Sequence, residues 1–244
     1  MKIEAKKYFL FMIIFVFMLI ISSTSMSINN KTNEREEVKF RTDFSSEREI
    51  DLFKFVPDFE NYFRNFQLEE NVDLATQKED YVLEIKEIGP LLNNPRRPRT
   101  YALVKDHYWK EAKINLKFRY YASEGTPDIV IPFAYQNPNE WYYIHISEKS
   151  DSVHNVIMKI KGTERYTIHT QRNRAPLKTK NYYEAEIYLD TEAGRIEVYV
   201  NGEEEPILVG EDNEMKPGLV GIGSFDTYAY FKYLEIEGKT YNSK

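Results

Sequence analysis

The 244 residues include no cysteine, so no disulfide can brace the chain and no lipid can be attached through an N-terminal cysteine. Its stability has to come from the core alone. Basic residues are outnumbered, 33 against 39 acidic ones, for a formal charge of −6. Non-specific nucleic-acid binding rests on phosphate neutralisation, so an acidic chain argues against it. Long apolar runs are lacking too: the longest, Tyr8 to Ile21, has 14 residues without a charge. A spanning helix needs roughly 18–20. Histidine, at four, and tryptophan, at two, are scarce, so the place where they gather is informative.

The N-terminus has the layout of an export signal. Lys2, Lys6 and Lys7 precede the apolar run, and "SSTSMS" follows with small residues spaced for cleavage, at Ser23 and Ser25 or at Ser25 and Ser27. Residues 1–27 are therefore expected to be a signal peptide, or an anchor if cleavage fails, and 28–37 ("INNKTNEREE") a flexible polar lead-in. The expected location is outside the bacterial cytoplasm: secreted, periplasmic or at the cell surface, with no stable membrane insertion once the signal is removed. Residues 38–244 are expected to form one domain.

Within that domain, short runs alternate with period two. They include "KINLKFRYY" (113–121), "DIVIPFAYQ" (128–136), "EWYYIHIS" (140–147), "YYEAEIYLD" (182–190) and "GRIEVYVNG" (194–202). Turn signals separate them: "NPNE" (137–140), "DTEAGR" (190–195) and "NG" (201–202). Only 51–66 can hold a helical turn, and Pro57 interrupts it. The pattern predicts an all-β fold, a two-sheet antiparallel β-sandwich of jelly-roll type. Each strand gives one apolar row to the core and one polar-aromatic row to solvent or a groove. Aromatics make up 15% of the chain, with 19 tyrosines, and such rings suit strands as well as stacking on sugars.

The stretch "WYYIHISEKSDSVHN" (141–155) holds two of the four histidines. Alternation assigns Tyr142, Ile144 and Ile146 to the core and predicts that Trp141, Tyr143, His145 and Ser147 are presented. A polar loop then supplies Asp151, His154 and Asn155. Three readings stay open on these residues. They are structural; or they line a glycan cleft; or they form a reactive centre, with a His–Asp pair as general base. In the last case His145, Asp151 and His154 could also face a divalent metal.

The block 181–236, "NYYEAEIYLDTEAGRIEVYVNG…GLVGIGSFDTYAYFKYLEI", resembles the concanavalin A-like lectin/glucanase superfamily, including laminin-G-like jelly rolls and the 3-keto-disaccharide hydrolase family. The likeness extends over roughly 80–238, through "DIVIPFAYQNPNEWYYIHIS" and "HNVIMKIKGTERYTI". It implies a concanavalin A-like sandwich that handles extracellular carbohydrate, a polysaccharide or oligosaccharide, on a concave face. His145, Asp151 and His154 are then the catalytic candidates, and Trp141, Tyr143, Asn155, Arg119 and Arg165 the substrate-binding ones. The E-x-D-x-x-E carboxylate motif of the glucanases is absent from the chain. A binding module, an enzyme acting on 3-keto-glycosides and an adhesive sandwich without a small ligand all remain open. Two further loops carry charge. "NNPRRPR" (93–99) reads as a stiff solvated loop, or else as an anchor for the carboxylates of an acidic glycan through its arginines. "GEDNE" (210–214) can offer oxygen ligands to a structural Ca²⁺, and Asp226, entering the last strand after "GSF", is a second position for calcium or for stabilising a hairpin.

Overall fold

The computed structural model describes residues 37–67, 81–92, 95–121, 126–172, 177–178 and 181–241. The expected signal and most of the expected lead-in fall outside the described residues. From Glu36 to Lys244 the chain forms one compact unit.

Two antiparallel sheets make up the fold. In the first the order is β11 (His169–Arg172), β14 (Leu208–Glu211), β13 (Arg195–Val200), β12 (Tyr183–Asp190), β6 (Tyr108–Tyr121), β16 (Tyr228–Tyr241), β4 (Tyr81–Ile85) and β3 (Phe63–Gln67). β1 (Glu37–Thr42) also pairs with β16. The second sheet runs β10 (Glu164–Thr167), β9 (Val156–Lys161), β8 (Glu140–Ser147), β7 (Asp128–Asn137), β15 (Gly221–Ser224), β5 (Thr100–Val104) and β2 (Phe53–Val56). Two single-turn helices, α1 (Glu47–Ile50) and α2 (Phe59–Tyr62), join early strands. Ser46 and Glu49 form a capping box on the first of them. Among the described residues no helix is long and apolar enough to cross a membrane.

The expected sandwich is present, and the expected inner rows fill its core. Ile114, Leu116 and Phe118 of β6 face Tyr142, Ile144 and Ile146 of β8 in one buried cluster, joined by Ile187 of β12 and Val198 of β13. The turns behave as their residues require. At the "NG" turn both Asn201 and Gly202 have positive φ, and Glu203 N–H closes onto the Val200 carbonyl at 3.2 Å. In "DTEAGR" Asp190 accepts from the N–H groups of Glu192 and Ala193, both at 2.9 Å. The segment 51–66 holds α2, as its pattern allowed, and also contributes all of β2 and most of β3.

One expectation is corrected. The row Trp141, Tyr143, His145 and Ser147 lies on the outer face of the second sheet but is not presented: their exposures are 0%, 0%, 3% and 0%. Tyr101, Leu103, Val130, Tyr135, Val156, Met158, Ile160 and Phe225 join Trp141 and Tyr143 in a second apolar cluster there. The arginine-proline segment crosses this face. Pro95 and Pro98 are buried, the Arg97 guanidinium donates to the Pro138 carbonyl, and Arg165 donates to the Arg96 carbonyl at 3.0 Å. A sheet buried on both faces shows apolar side chains on both parities. The aromatic row therefore marks a covered surface.

Candidate functional site

Where the cover ends, a small cavity of about 120 Å³ opens among Arg96, Asp128, His145, Val153, His154, Arg165, Phe225 and Asp226. Five pieces of chain meet there, and each is fixed by local chemistry. At the corner between β15 and β16, the Asp128 carboxylate accepts from Phe225 N–H at 2.8 Å and from the Ser224 hydroxyl at 3.1 Å. Thr227 Oγ1 accepts from Asp128 N–H at 3.1 Å and donates to its carbonyl at 2.9 Å. These buried bonds bolt the corner to the start of β7 and aim Phe225 and Asp226 at the cavity.

The loop after β8 is set by two short polar side chains. Asp151 Oδ1 accepts from the N–H groups of Val153 and His154, at 2.9 and 3.0 Å, the Asx-turn that aspartate favours. Asn155 takes a positive φ of 52°, and its amide spans Ser147 N–H (2.8 Å), Ser147 C=O (3.0 Å) and Lys149 C=O (2.7 Å). Those contacts make Asn155, which is fully buried, a clamp for the loop. It offers no group to a ligand.

The two histidines are neighbours. His145 Nδ1 lies 2.7 Å from the Val153 carbonyl; a carbonyl only accepts, so Nδ1 carries a proton. Nε2 sits 3.3 Å from Asp128 Oδ2, an ion-pair distance without hydrogen-bond alignment. A proton on either atom makes that approach attractive. His145 also stacks on Phe225, with ring centroids 5.3 Å apart and planes 17° apart. The His154 ring lies 5.3 Å from that of His145, and its Nδ1 lies 2.8 Å from Asp151. Burial pushes the Asp151 carboxyl up, but the Val153 and His154 N–H groups and the His154 ring outweigh it and hold the group at about 2. His145, Asp151 and His154 are thus adjacent, with Asp151 on the far side of His154 from the cavity.

Arg165 lines the cavity, over the Phe225 ring at 5.7 Å. Arg96, which sequence reasoning placed only within an arginine-rich loop, lies over the same ring at 5.3 Å and pairs with Asp226 at 2.9 Å. Tyr143 reaches Arg165 through its hydroxyl at 3.4 Å. Burial pushes that hydroxyl up to about 12, against the pull of Arg165 and Arg96. Two expected positions are elsewhere. Trp141 is enclosed by Tyr101, Tyr135 and Tyr143, at centroid distances of 5.3, 5.7 and 5.5 Å, and presents no ring to solvent. Arg119 is on the other sheet, over Tyr182 and Tyr230 at 5.0 and 4.7 Å, and does not flank the cavity.

No group of three or more His, Asp or Glu among the described residues is arranged to hold a metal ion. In "GEDNE", Asp212 pairs with Lys159 at 2.7 Å and Glu214 with Lys161 at 2.8 Å. These ammonium groups occupy the carboxylates that a calcium ion would need, as Arg96 does at Asp226. Wider depressions exist on the first sheet's outer face (about 480 Å³, around Lys113, Tyr188 and Arg195) and at one edge of the sandwich (about 580 Å³, around Tyr142, Lys159 and Lys216). Their cations are matched by acids: Lys113 by Glu186 at 2.6 Å, Arg195 by Glu211 at 2.6 Å, and Lys216 by Glu140 at 2.6 Å. The small cavity differs in holding a guanidinium, that of Arg165, without such a partner among the described residues.

Asp128 and Phe225 were missed in the sequence, where an aspartate opening a strand and a phenylalanine after "GS" look like ordinary core and turn residues. The signal that could have found them is the hydroxyl-rich corner "GSFDT", whose polar groups need a buried acceptor.

Neither the known protein-family profiles nor the curated protein sequences give a match to the chain. Solved structures do resemble it. The carbohydrate-binding module CBM66 from Bacillus subtilis superposes with a TM-score of 0.55 at 12% identity, over 77% of this chain and 96% of the module. Lectin I-B4 from Griffonia simplicifolia gives 0.50 at 12% identity, over 82% of this chain and 99% of the lectin. The GH43 protein BlXynB from Bacillus licheniformis gives 0.54 at 11% identity, and 39% of its length is covered. At such identities the likeness establishes the fold: a two-sheet jelly-roll sandwich of the kind found in carbohydrate-binding modules and lectins.

Proposed function

We propose that the protein is an exported glycan-binding module whose ligand docks at the cavity between Arg96, His154 and Arg165. The observation that carries this reading is the convergence of two guanidiniums and two histidines on one small opening, beside a wall formed by Phe225. Guanidinium and imidazole N–H groups donate to sugar oxygens, and the Asp226 carboxylate accepts from hydroxyls. The fold shared with a carbohydrate-binding module and a lectin supports the same conclusion. Recognition is polar in character, because the aromatic row that would serve as a stacking platform is buried.

A second reading keeps the cavity and adds chemistry, as in the 3-keto-disaccharide hydrolases. It is favoured by the 2.8 Å contact between His154 and Asp151, the arrangement in which a carboxylate orients a general base. His145 is buried, with Nδ1 held by the Val153 carbonyl, which leaves the more exposed His154 as the acid–base candidate.

One titration series separates these. Calorimetry against a panel of neutral and acidic oligosaccharides, with product analysis by chromatography, is expected to show binding without turnover. His154→Ala should weaken binding at least tenfold while the circular dichroism spectrum is unchanged. Turnover lost in His154→Ala establishes the second reading instead. Absence of binding to every glycan sinks the first.

A further inference from the structure

The charge balance of the cavity is uneven. Arg96 is neutralised by Asp226, and Asp128 is committed to His145, Ser224 and Phe225. Arg165 is held differently. Its Nη1 donates to the Arg96 carbonyl at 3.0 Å and to the Tyr143 hydroxyl at 3.4 Å, both neutral. Among the described residues it has no carboxylate within ion-pair distance.

Its position is nevertheless fixed. Both guanidiniums lie over the Phe225 ring, at 5.3 and 5.7 Å, which holds two like charges at one site on a chain of net charge −6. Surface arginines on acidic proteins readily find acids, as Arg195 does here with Glu197 and Glu211 at 2.6 Å each. A guanidinium anchored by neutral acceptors and aimed into a cavity keeps its charge for what enters. Its planar fork matches a carboxylate through two parallel N–H···O bonds, and such charge-assisted bonds are roughly twice as strong as neutral ones.

We infer that the ligand is an acidic glycan, a uronic-acid residue whose carboxylate pairs with Arg165 in this cavity. The inference rests on the glycan-binding reading and specifies its ligand class. The volume, about 120 Å³, admits one such group, with the remainder of the sugar chain outside.

The test uses oligogalacturonates, oligomannuronates and glucuronate-ended xylo-oligosaccharides, each beside its own methyl ester, in which the sugar is kept and the charge masked. Calorimetry on the purified chain is expected to show at least one acid binding tenfold or more tighter than its ester, with the preference shrinking as salt rises. Arg165→Gln should reduce the acid-over-ester ratio to about twofold or less, whatever it does to overall affinity, since only the charged contact tells acid from ester. Arg165→Lys keeps the charge without the fork and should retain part of the preference. A melting curve for each variant shows whether it is folded. Esters binding as tightly as acids, or an acid preference that survives Arg165→Gln, overturns the inference. Neutral glycans binding where no acid does overturns it too and leaves the glycan-binding reading standing. If neither acids nor neutral glycans bind, both fall.

Discussion

Asp151 is a carboxyl whose charge is stabilised almost wholly by its own loop. Two backbone N–H groups and the His154 ring hold it at about 2, against an ordinary 3.8. A carboxyl lowered in the folded state contributes stability that is present above the unfolded value and lost as pH falls through the folded one. The window is therefore pH 4 down to 2. Because its side chain is 47% exposed, solvent discounts the contribution. Denaturant unfolding measured across that window should show a steeper acid loss for the native chain than for Asp151→Asn. Equal slopes would mean that the loop does not hold the carboxylate. The same residue shows what could be read in advance. An aspartate two and three residues before backbone donors signals an Asx-turn on sight. Nothing local revealed that Asn155 would turn inward to clamp Ser147, because that depends on where β8 ends.

At the level of elements, β15 shows how tightly the second sheet is assembled. It runs between β7 and β5, and Gly223 lies where a Cβ would come within 2.5 Å of the Thr100 carbonyl oxygen and 2.6 Å of Tyr101 Cβ. Neither neighbour is the end of a flexible chain, so the backbone itself would have to shift. Gly223→Ala is expected to destabilise the protein by about 3 kcal/mol, at the upper end for overpacking, read as a lower urea midpoint with unchanged m-value. A neutral result would show that β15 has room to move. β14 and β2 were not evident as strands in the sequence. Leu208–Glu211 and Phe53–Val56 are four residues each, too short for alternation to register, and pairing with β13 and β5 makes them strands. The long β6, by contrast, was visible from the period of its residues 113–121.

For the whole molecule, the second apolar cluster changes how the surface should behave. Both tryptophans, Trp109 and Trp141, have 0% exposure. One is in the inter-sheet core and the other is in the second apolar cluster, on the second sheet's outer face. Acrylamide should therefore quench the native fluorescence only slightly and quench the urea-unfolded chain strongly. Strong quenching of the native state would show that the cover opens and that Trp141 is available to ligands after all. The cavity is small and polar because the aromatic row beside it is buried and Arg96 reaches its margin over Phe225.

Periodicity, turn residues and the lack of cysteine were enough, in the sequence itself, to determine an antiparallel β-sandwich held by its core, because alternation and positive-φ turns are local properties of the chain. They also determined the inner rows, since a strand's parity is set along its own length. Parity separates two faces without saying which of them meets water. That was decided in the tertiary structure, where Tyr101 and Tyr135 enclose Trp141, Arg165 meets the Tyr143 hydroxyl and Phe225 stacks on His145. The cavity arose in the same way, from residues 96, 128, 154, 165 and 226 brought together by sheet order, and no spacing within the chain encodes their meeting.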